Sequence, residues 1–198
     1  MTTKQVRSGR DPIVAAAVSH FTERGYHGTS MRDIAAGAGV TVASIYHHFD
    51  GKQAVLQFIM AGTMRDLLEA TTSVDDEGTT PTARLRAFVD AWVLFHTTRQ
   101  PEALIGASEI RSLDDDGRDL VVGLRDEQER RLRGIVEAGV ASGEFTTPYP
   151  VEATRALVTM GAAIASWYRA GGPLTPAELS DRYCELAFGL VRGPSVLE

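Results

Sequence analysis

Along almost the whole chain, apolar side chains return every three or four positions. No stretch alternates apolar with polar residues as a half-buried strand requires. That periodicity restricts the chain to packed helices, and the expected fold class is all-α with about nine helices. Ile13, Ala17 and Phe21 form one stripe of a first helix from about Arg10 to Arg24, opened by Asp11 and Pro12 and closed by Gly25. Ser30 reads as an N-cap with Asp33 three residues on, a capping-box pair in which Asp replaces the usual Glu or Gln. That second helix stops at Gly39. Thr41 then caps a short third helix expected to reach Phe49, and a fourth runs from about residue 51 to Val74.

The segment 75–81, Asp-Asp-Glu-Gly-Thr-Thr-Pro, combines charge, Gly and Pro as a linker does. Beyond it, Leu85, Phe88, Val89, Trp92, Phe95 and His96 share one face of a helix. Further helices are expected over 102–113, from the Asp114–Gly117 cluster to Ser142, over 151–170, and from a Thr175 cap to Arg192. In the last, Leu179, Tyr183, Leu186 and Leu190 follow the spacing of a buried stripe.

Residues 30–48 are thus two short helices joined by a tight Gly39-Val40 turn, the layout of a helix-turn-helix whose second helix enters a DNA major groove. Most such helix pairs in all-α proteins bind no DNA, so layout alone leaves the question open. The net charge of -6 argues against a nucleic-acid partner, but the charge is unevenly spread. Residues 1–55 carry six Lys/Arg against four Asp/Glu, while the remainder carries 14 against 22, a mildly basic head on an acidic body.

The run from Phe21 to Leu56 decides the matter. It holds Gly25-Tyr26, Thr29-Ser30, Ile34-Ala35, Ala38-Gly39-Val40-Thr41, Tyr46, His48-Phe49 and Lys52 in order, and it resembles the N-terminal domain of TetR-type repressors. Thr41 stands where that family often has Ser, which keeps the hydroxyl cap. The resemblance implies a helix-turn-helix domain over 1–52, with the fourth helix (about 51–74) connecting it to a ligand-binding and dimerisation domain over 53–198. It also implies site roles. Thr29 and Ser30 contact phosphate, Thr41, Val42, Ala43 and Ser44 open the recognition helix, Tyr46 and His47 face DNA, and Lys52 clamps a phosphate. Val42 offers a thymine methyl an apolar contact. His48 is expected to pack or cap, and His20 and His27 to be surface or satisfied residues.

A repressor must be switchable, so the body is expected to hold a ligand pocket. Trp92, Phe95, His96, Leu104, Leu120, Leu124, Val136 and Met160 are apolar candidates for its lining. Glu109, Arg111, Arg125 and Arg130 are polar candidates to orient a ligand or bind an anionic group, although a solvated charged face explains residues 125–133 equally well. Val158, Met160, Ala162, Ala163, Ile164 and Trp167 in one helix, with Tyr183, Leu186, Phe188 and Leu190 in the last, are expected to form a four-helix homodimer interface as in TetR-type dimers. A final pattern, Trp167-Tyr168-Arg169 followed by Gly172, Leu174, Thr175, Glu178, Leu179 and Tyr183, is similar to regulators of fatty-acid and sterol catabolism that respond to acyl-CoA thioesters. A largely apolar drug, steroid or aromatic inducer is the alternative.

The expected partners are therefore operator DNA, a small-molecule inducer and a second copy of the chain, with release of DNA on ligand binding. Activation in place of repression, or an all-α ligand-binding dimer without operator binding, stays open. No Gly-x-Ser-x-Gly elbow, phosphate loop or His-Glu-x-x-His pair points to catalysis, and no cofactor or metal is expected. The lone Cys184 is read as packing, and adjacent His47 and His48 point too far apart on a helix to share an ion. No apolar run approaches the ~20 residues of a membrane span, and no secretory signal opens the chain, so cytoplasmic residence is the expectation.

Overall fold

The computed structural model describes residues 9–72 and 79–192 and is all-α, with no strand among the described residues. Its helices are α1 (Asp11–Arg24), α2 (Met31–Ala38), α3 (Val42–Tyr46), α4 (Lys52–Thr72), α5 (Pro81–Thr98), α6 (Gln100–Ser108), α7 (Asp115–Ser142), α8 (Pro150–Ala162), α9 (Ile164–Trp167) and α10 (Pro176–Arg192). A 3-10 turn, Ile110–Ser112, joins α6 to α7. Most of the expected linker, residues 75–78, lies outside the described residues. At its end, the Thr80 hydroxyl caps α5 by accepting from the Ala83 amide.

Local chemistry sets most of the boundaries. The Ser30 hydroxyl accepts from the Asp33 amide (3.2 Å) while Asp33 accepts from the Ser30 amide (2.8 Å), a complete capping box. Gly39 ends α2 in the left-handed region (φ 67°), where a Cβ would be strained, and Thr41 caps α3 through the Ser44 amide. Asp114 caps α7 through Gly117, and Thr175 with Glu178 forms a second capping box at α10. These two carboxylates, Asp33 and Glu178, are held below their ordinary pKa chiefly by the Ser30 hydroxyl and the Thr175 amide respectively.

Two apolar cores result. The first gathers Ile13, Phe21, Ile34, Ile45 and Phe49 of the head with Val55, Leu56, Ile59, Met60 and Ala61 of α4, and it extends to Ile105, Leu113 and Val121. The second joins α5, α7, α8 and α10 around Leu85, Phe88, Val93, Leu132, Val136, Leu157 and Val191, and α4 reaches it through Leu67. Met64 packs against both. The α4–α7 contact is pinned by buried Gln128, whose amide donates to the Thr71 hydroxyl at 2.9 Å.

The structure departs from the periodicity reading in four places. α3 ends at Tyr46, because Phe49 folds inward to the first core and His48 and Phe49 both donate to the Ile45 carbonyl. The helix expected over 102–113 ends at Ser108 and tightens into the 3-10 turn. The helix expected over 151–170 is interrupted at Ala163 and stops at Trp167. There Tyr168 turns extended and buries its ring, and Gly171, Gly172 and Pro173 follow.

The fourth departure concerns α10. Leu179 is buried as expected, but the buried stripe continues through Ser180, Cys184, Ala187 and Val191, which lie against α5. Tyr183 is only half-buried, and Leu186 (54%) and Leu190 (38%) are exposed. The small side chains permit close approach to α5, which leaves the larger ones on the neighbouring, outward stripe.

Candidate nucleic-acid surface and inner cavity

The head presents its short α3 on a frame that ties down Thr29 and Lys52 through main-chain carbonyls. Thr29 belongs to that frame. Its hydroxyl is buried (2% exposed) and donates to the Gly25 (2.9 Å) and His20 (3.1 Å) carbonyls, so it is turned away from any phosphate outside. Lys52 is likewise committed. Its ammonium donates to the Tyr26 and Thr29 carbonyls, each at 2.7 Å, and lies 4.1 Å from the Tyr26 ring centroid. Those three contacts use the three directions an ammonium offers, and they tie the start of α4 to the loop between α1 and α2. In this arrangement both side chains serve as a buttress behind the helix-turn-helix.

What faces outward is narrower. Thr41, Ala43, Tyr46 (53% exposed) and His47 are exposed, Ser30 is exposed at the α2 N-cap, and Ser44 is half-buried with its hydroxyl 2.9 Å from that of Thr41. Val42 is half-buried and packs partly against the head core, which limits the apolar surface it can offer a base. Arg32, not singled out from the sequence, is exposed on α2. It has no carboxylate within 4 Å among the described residues, whereas Arg24 stands 3.9 Å from Asp33. An arginine one residue inside α2 is visible in the sequence, but only the structure shows it exposed and, among the described residues, without a carboxylate such as Arg24 has. His27 is exposed near Ser112. His20, expected to be a surface or satisfied residue, is half-buried and keeps a buried Nδ1 with no hydrogen-bond partner among the described residues.

Inside the body, α4 to α8 enclose a cavity of about 390 Å³, within the usual range for small-molecule sites. Of the sequence candidates, Trp92, Phe95, His96 and Arg125 line it. The others do not. Leu120 and Leu124 pack against the head core, and Met160 lies on the far side of Trp92 beside a second void of about 20 Å³. Leu104 is half-buried off the lining, and Val136 is fully buried in the second core. Glu109 accepts from the Ser112 hydroxyl (2.8 Å), Arg111 is exposed on the 3-10 turn, and Arg130 pairs with Glu127 at 2.6 Å. The sequence reading missed the walls supplied by α4 (Met60, Thr63, Met64, Leu67) and α6 (Ala103, Gly106, Ala107). Val158 and Ala162 of α8, expected at the dimer interface, also line the cavity, and Ala162 is exposed as well.

Trp92 and His96 bring one end of an aromatic stack to the cavity wall. Phe88, Trp92 and His96 follow one another along α5, with ring centroids 5.4 and 5.2 Å apart. Gly161 makes room for it, since a Cβ there would stand 2.3 Å from Trp92 Nε1. His96 Nδ1 lies 2.8 Å from the Trp92 carbonyl, which can only accept, so Nδ1 carries the proton. Burial holds the imidazole pKa below its ordinary value, which leaves a neutral ring with Nε2 as an acceptor.

Between head and cavity runs a polar bridge. Gln53, at the start of α4, donates to the Ser112 carbonyl (2.5 Å) and accepts from the Asp114 amide (3.4 Å). Outside, Trp167 stacks on Tyr183 (6.4 Å), and with Leu186 and Leu190 it leaves an uncovered apolar face. Ala163 is exposed where α8 meets α9.

Among the described residues there is no cluster of three metal-ligating side chains, and no helix is long and apolar enough to cross a membrane. Residues 13–58 match the family model "Bacterial regulatory proteins, tetR family", and residues 78–191 match "Tetracyclin repressor-like, C-terminal domain". The chain is 30% identical over 191 residues to the HTH-type transcriptional repressor KstR2 of Rhodococcus jostii, covering 95% of this chain and 94% of that one. It superposes with a TM-score of 0.89 on a tetR-family regulatory protein from Rhodococcus RHA1 (27% identity, 96% of this chain and 100% of the other). A TM-score of 0.83 relates it to AibR solved with isovaleryl coenzyme A and operator DNA (26% identity, 91% and 98% covered).

Proposed function

Because this chain belongs to the TetR family of bacterial regulatory proteins, we propose that it is a homodimeric repressor that grips a palindromic operator and lets go when a small, largely apolar ligand fills the inner cavity. The observation that carries the reading is the exposed row of α3, where Tyr46 and His47 stand outward on a frame that Lys52 ties together through the Tyr26 and Thr29 carbonyls. Side chains with nothing to do inside are the ones free to read base edges.

In this reading Thr41, Ala43, Ser44, Tyr46 and His47 supply the groove face, with a smaller share from Val42. Ser30 and Arg32 touch phosphate from α2. Trp167, Tyr183, Leu186 and Leu190, with Ala163 and the exposed edge of Ala162, meet their copies across a two-fold axis, and the cores of both subunits extend into one four-helix bundle. That symmetry presents two recognition helices at successive major grooves, ~34 Å apart. An acyl-CoA thioester is the favoured ligand class, supported by the AibR complex and by a cavity whose lining is mostly apolar. The polar bridge from Gln53 to Ser112 gives a ligand-dependent shift of α6 and the 3-10 turn a direct route to the head.

The test is fluorescence anisotropy of the purified protein against DNA fragments flanking its own gene, with and without acyl-CoA thioesters. Nanomolar binding to one fragment, reversed by one thioester, is the expected result. Arg32→Ala should weaken binding to every sequence and lower the salt slope by about 1, whereas His47→Ala should change sequence preference. Equal losses on all DNA for both variants would refute this division of labour.

A further inference from the structure

Four charged side chains line the cavity: Arg125, Glu102, Asp126 and Glu129. Two of the carboxylates already have partners, Glu102 with Arg99 (2.8 Å) and Glu129 with Arg133 (2.5 Å) and Arg155 (3.8 Å). Asp126 is exposed and, as Arg125's neighbour on α7, points about 100° away from it around the helix. Arg125 is the exception. No carboxylate lies within 4 Å of it among the described residues, and its one hydrogen bond runs from Nη2 to the Gly106 carbonyl at 2.6 Å.

A guanidinium has five N–H donors and stays protonated in proteins. Arg125 therefore brings a full positive charge, most of its donors unused, into a largely apolar hollow. Desolvation lowers its pKa from the usual arginine value, the sign of a charge held at a cost. The remaining polar groups do not relieve it, because His96 and Gln128 are neutral, and Gln128 is spent on Thr71.

We propose that Arg125 is the anchor for an anionic group, carboxylate or phosphate, carried into the cavity by an otherwise apolar ligand. The inference rests on reading the cavity as the ligand site. A planar, two-oxygen anion meets the guanidinium fork with two parallel bonds, which a neutral ligand of the same shape cannot do. Such an anion competes with the Gly106 carbonyl for Nη2. Gly106 lies on α6, four residues before the 3-10 turn whose Ser112 holds Gln53, so the anchor sits where occupancy is felt by the head.

The experiment uses quenching of intrinsic tryptophan fluorescence, since Trp92 forms part of the cavity wall. The full chain and its Arg125→Met variant are titrated with decanoate, decan-1-ol and decanoyl-CoA. Wild type should bind decanoate, decanoyl-CoA or both at least tenfold more tightly than decanol. Arg125→Met should lose that preference while keeping the decanol affinity, which reports an intact cavity. A loss confined to decanoate identifies the anion as the acid's carboxylate, and a loss confined to decanoyl-CoA identifies it as phosphate. Equal wild-type affinities for all three, or an anion preference that survives in Arg125→Met, would overturn the proposal. Binding of none of the probes would also overturn it, and specific binding to the operator, measured separately, would then still stand.

Discussion

Replacing Lys52 by Met separates a buttress from a phosphate clamp. The ammonium makes two hydrogen bonds of 2.7 Å to the Tyr26 and Thr29 carbonyls and sits over the Tyr26 ring. Hydrogen bonds to a charged group contribute about 1.5–3 kcal/mol each, and a cation over an aromatic face roughly 0.5–2 kcal/mol. Lys52 is only half-buried, so water recovers part of what the carbonyls lose, and a net loss of about 3 kcal/mol is expected. For a chain of this size that corresponds to a fall in Tm of roughly 6–12 °C. Urea unfolding followed by circular dichroism measures the first quantity, and the salt dependence of operator binding measures the rival role. If Lys52 is a buttress, Lys52→Met loses stability, and its DNA affinity per folded molecule keeps the wild-type salt slope. A stability change under about 0.5 kcal/mol together with a slope lower by about 1 would refute the argument and return Lys52 to phosphate.

Gly161→Ala drives a methyl to within 2.3 Å of Trp92 Nε1, and overpacking of this kind should cost about 1–3 kcal/mol in urea titrations. An unchanged midpoint would mean that the aromatic stack yields freely into the cavity. Leu186→Glu should convert dimer to monomer in sedimentation velocity, because it places a charge on the uncovered α10 face; an undiminished dimer mass would move the interface elsewhere. Burial and the neighbouring Asp90 push the Cys184 thiol up to about 12, above its unfolded value, so its contribution to stability is present below about pH 9 and is lost as pH rises toward 12. Native protein should accordingly resist a thiol reagent at pH 8 and react once unfolded, and rapid native labelling would contradict that burial.

The head was legible because its determinants are local. Ser30 with Asp33, Gly39 and Thr41 act over three or four residues, and each fixes a helix end without help from the rest of the chain. The cavity was not legible in this way. Its walls come from five helices, and whether an arginine in the 125–133 run points inward is decided by packing, so Arg125 and Arg130 look alike in sequence yet end in a cavity and in a surface ion pair. α10 shows the same limit. Two adjacent stripes are both apolar, and only the narrow space beside α5 selects the one with Cys184 and Ala187. The buttressing roles of Thr29 and Lys52 were hidden too, because main-chain carbonyls leave no trace in a side-chain pattern.

The two cores meet on α4, and that limits how such a protein can be recombined. A head exchanged at residue 52 would carry α1–α3 away from Val55, Leu56, Ile59, Met60 and Ala61, which complete its own interior. A crossover placed after Met64 keeps that interior whole but moves Met60, Thr63 and Met64, part of the cavity wall, along with the head. No seam on α4 divides the two cleanly. What the cavity accepts and what the head grips are inherited partly as one piece, so a chimera built to respond to a new ligand at an old DNA site will need its α4 redesigned, not merely rejoined.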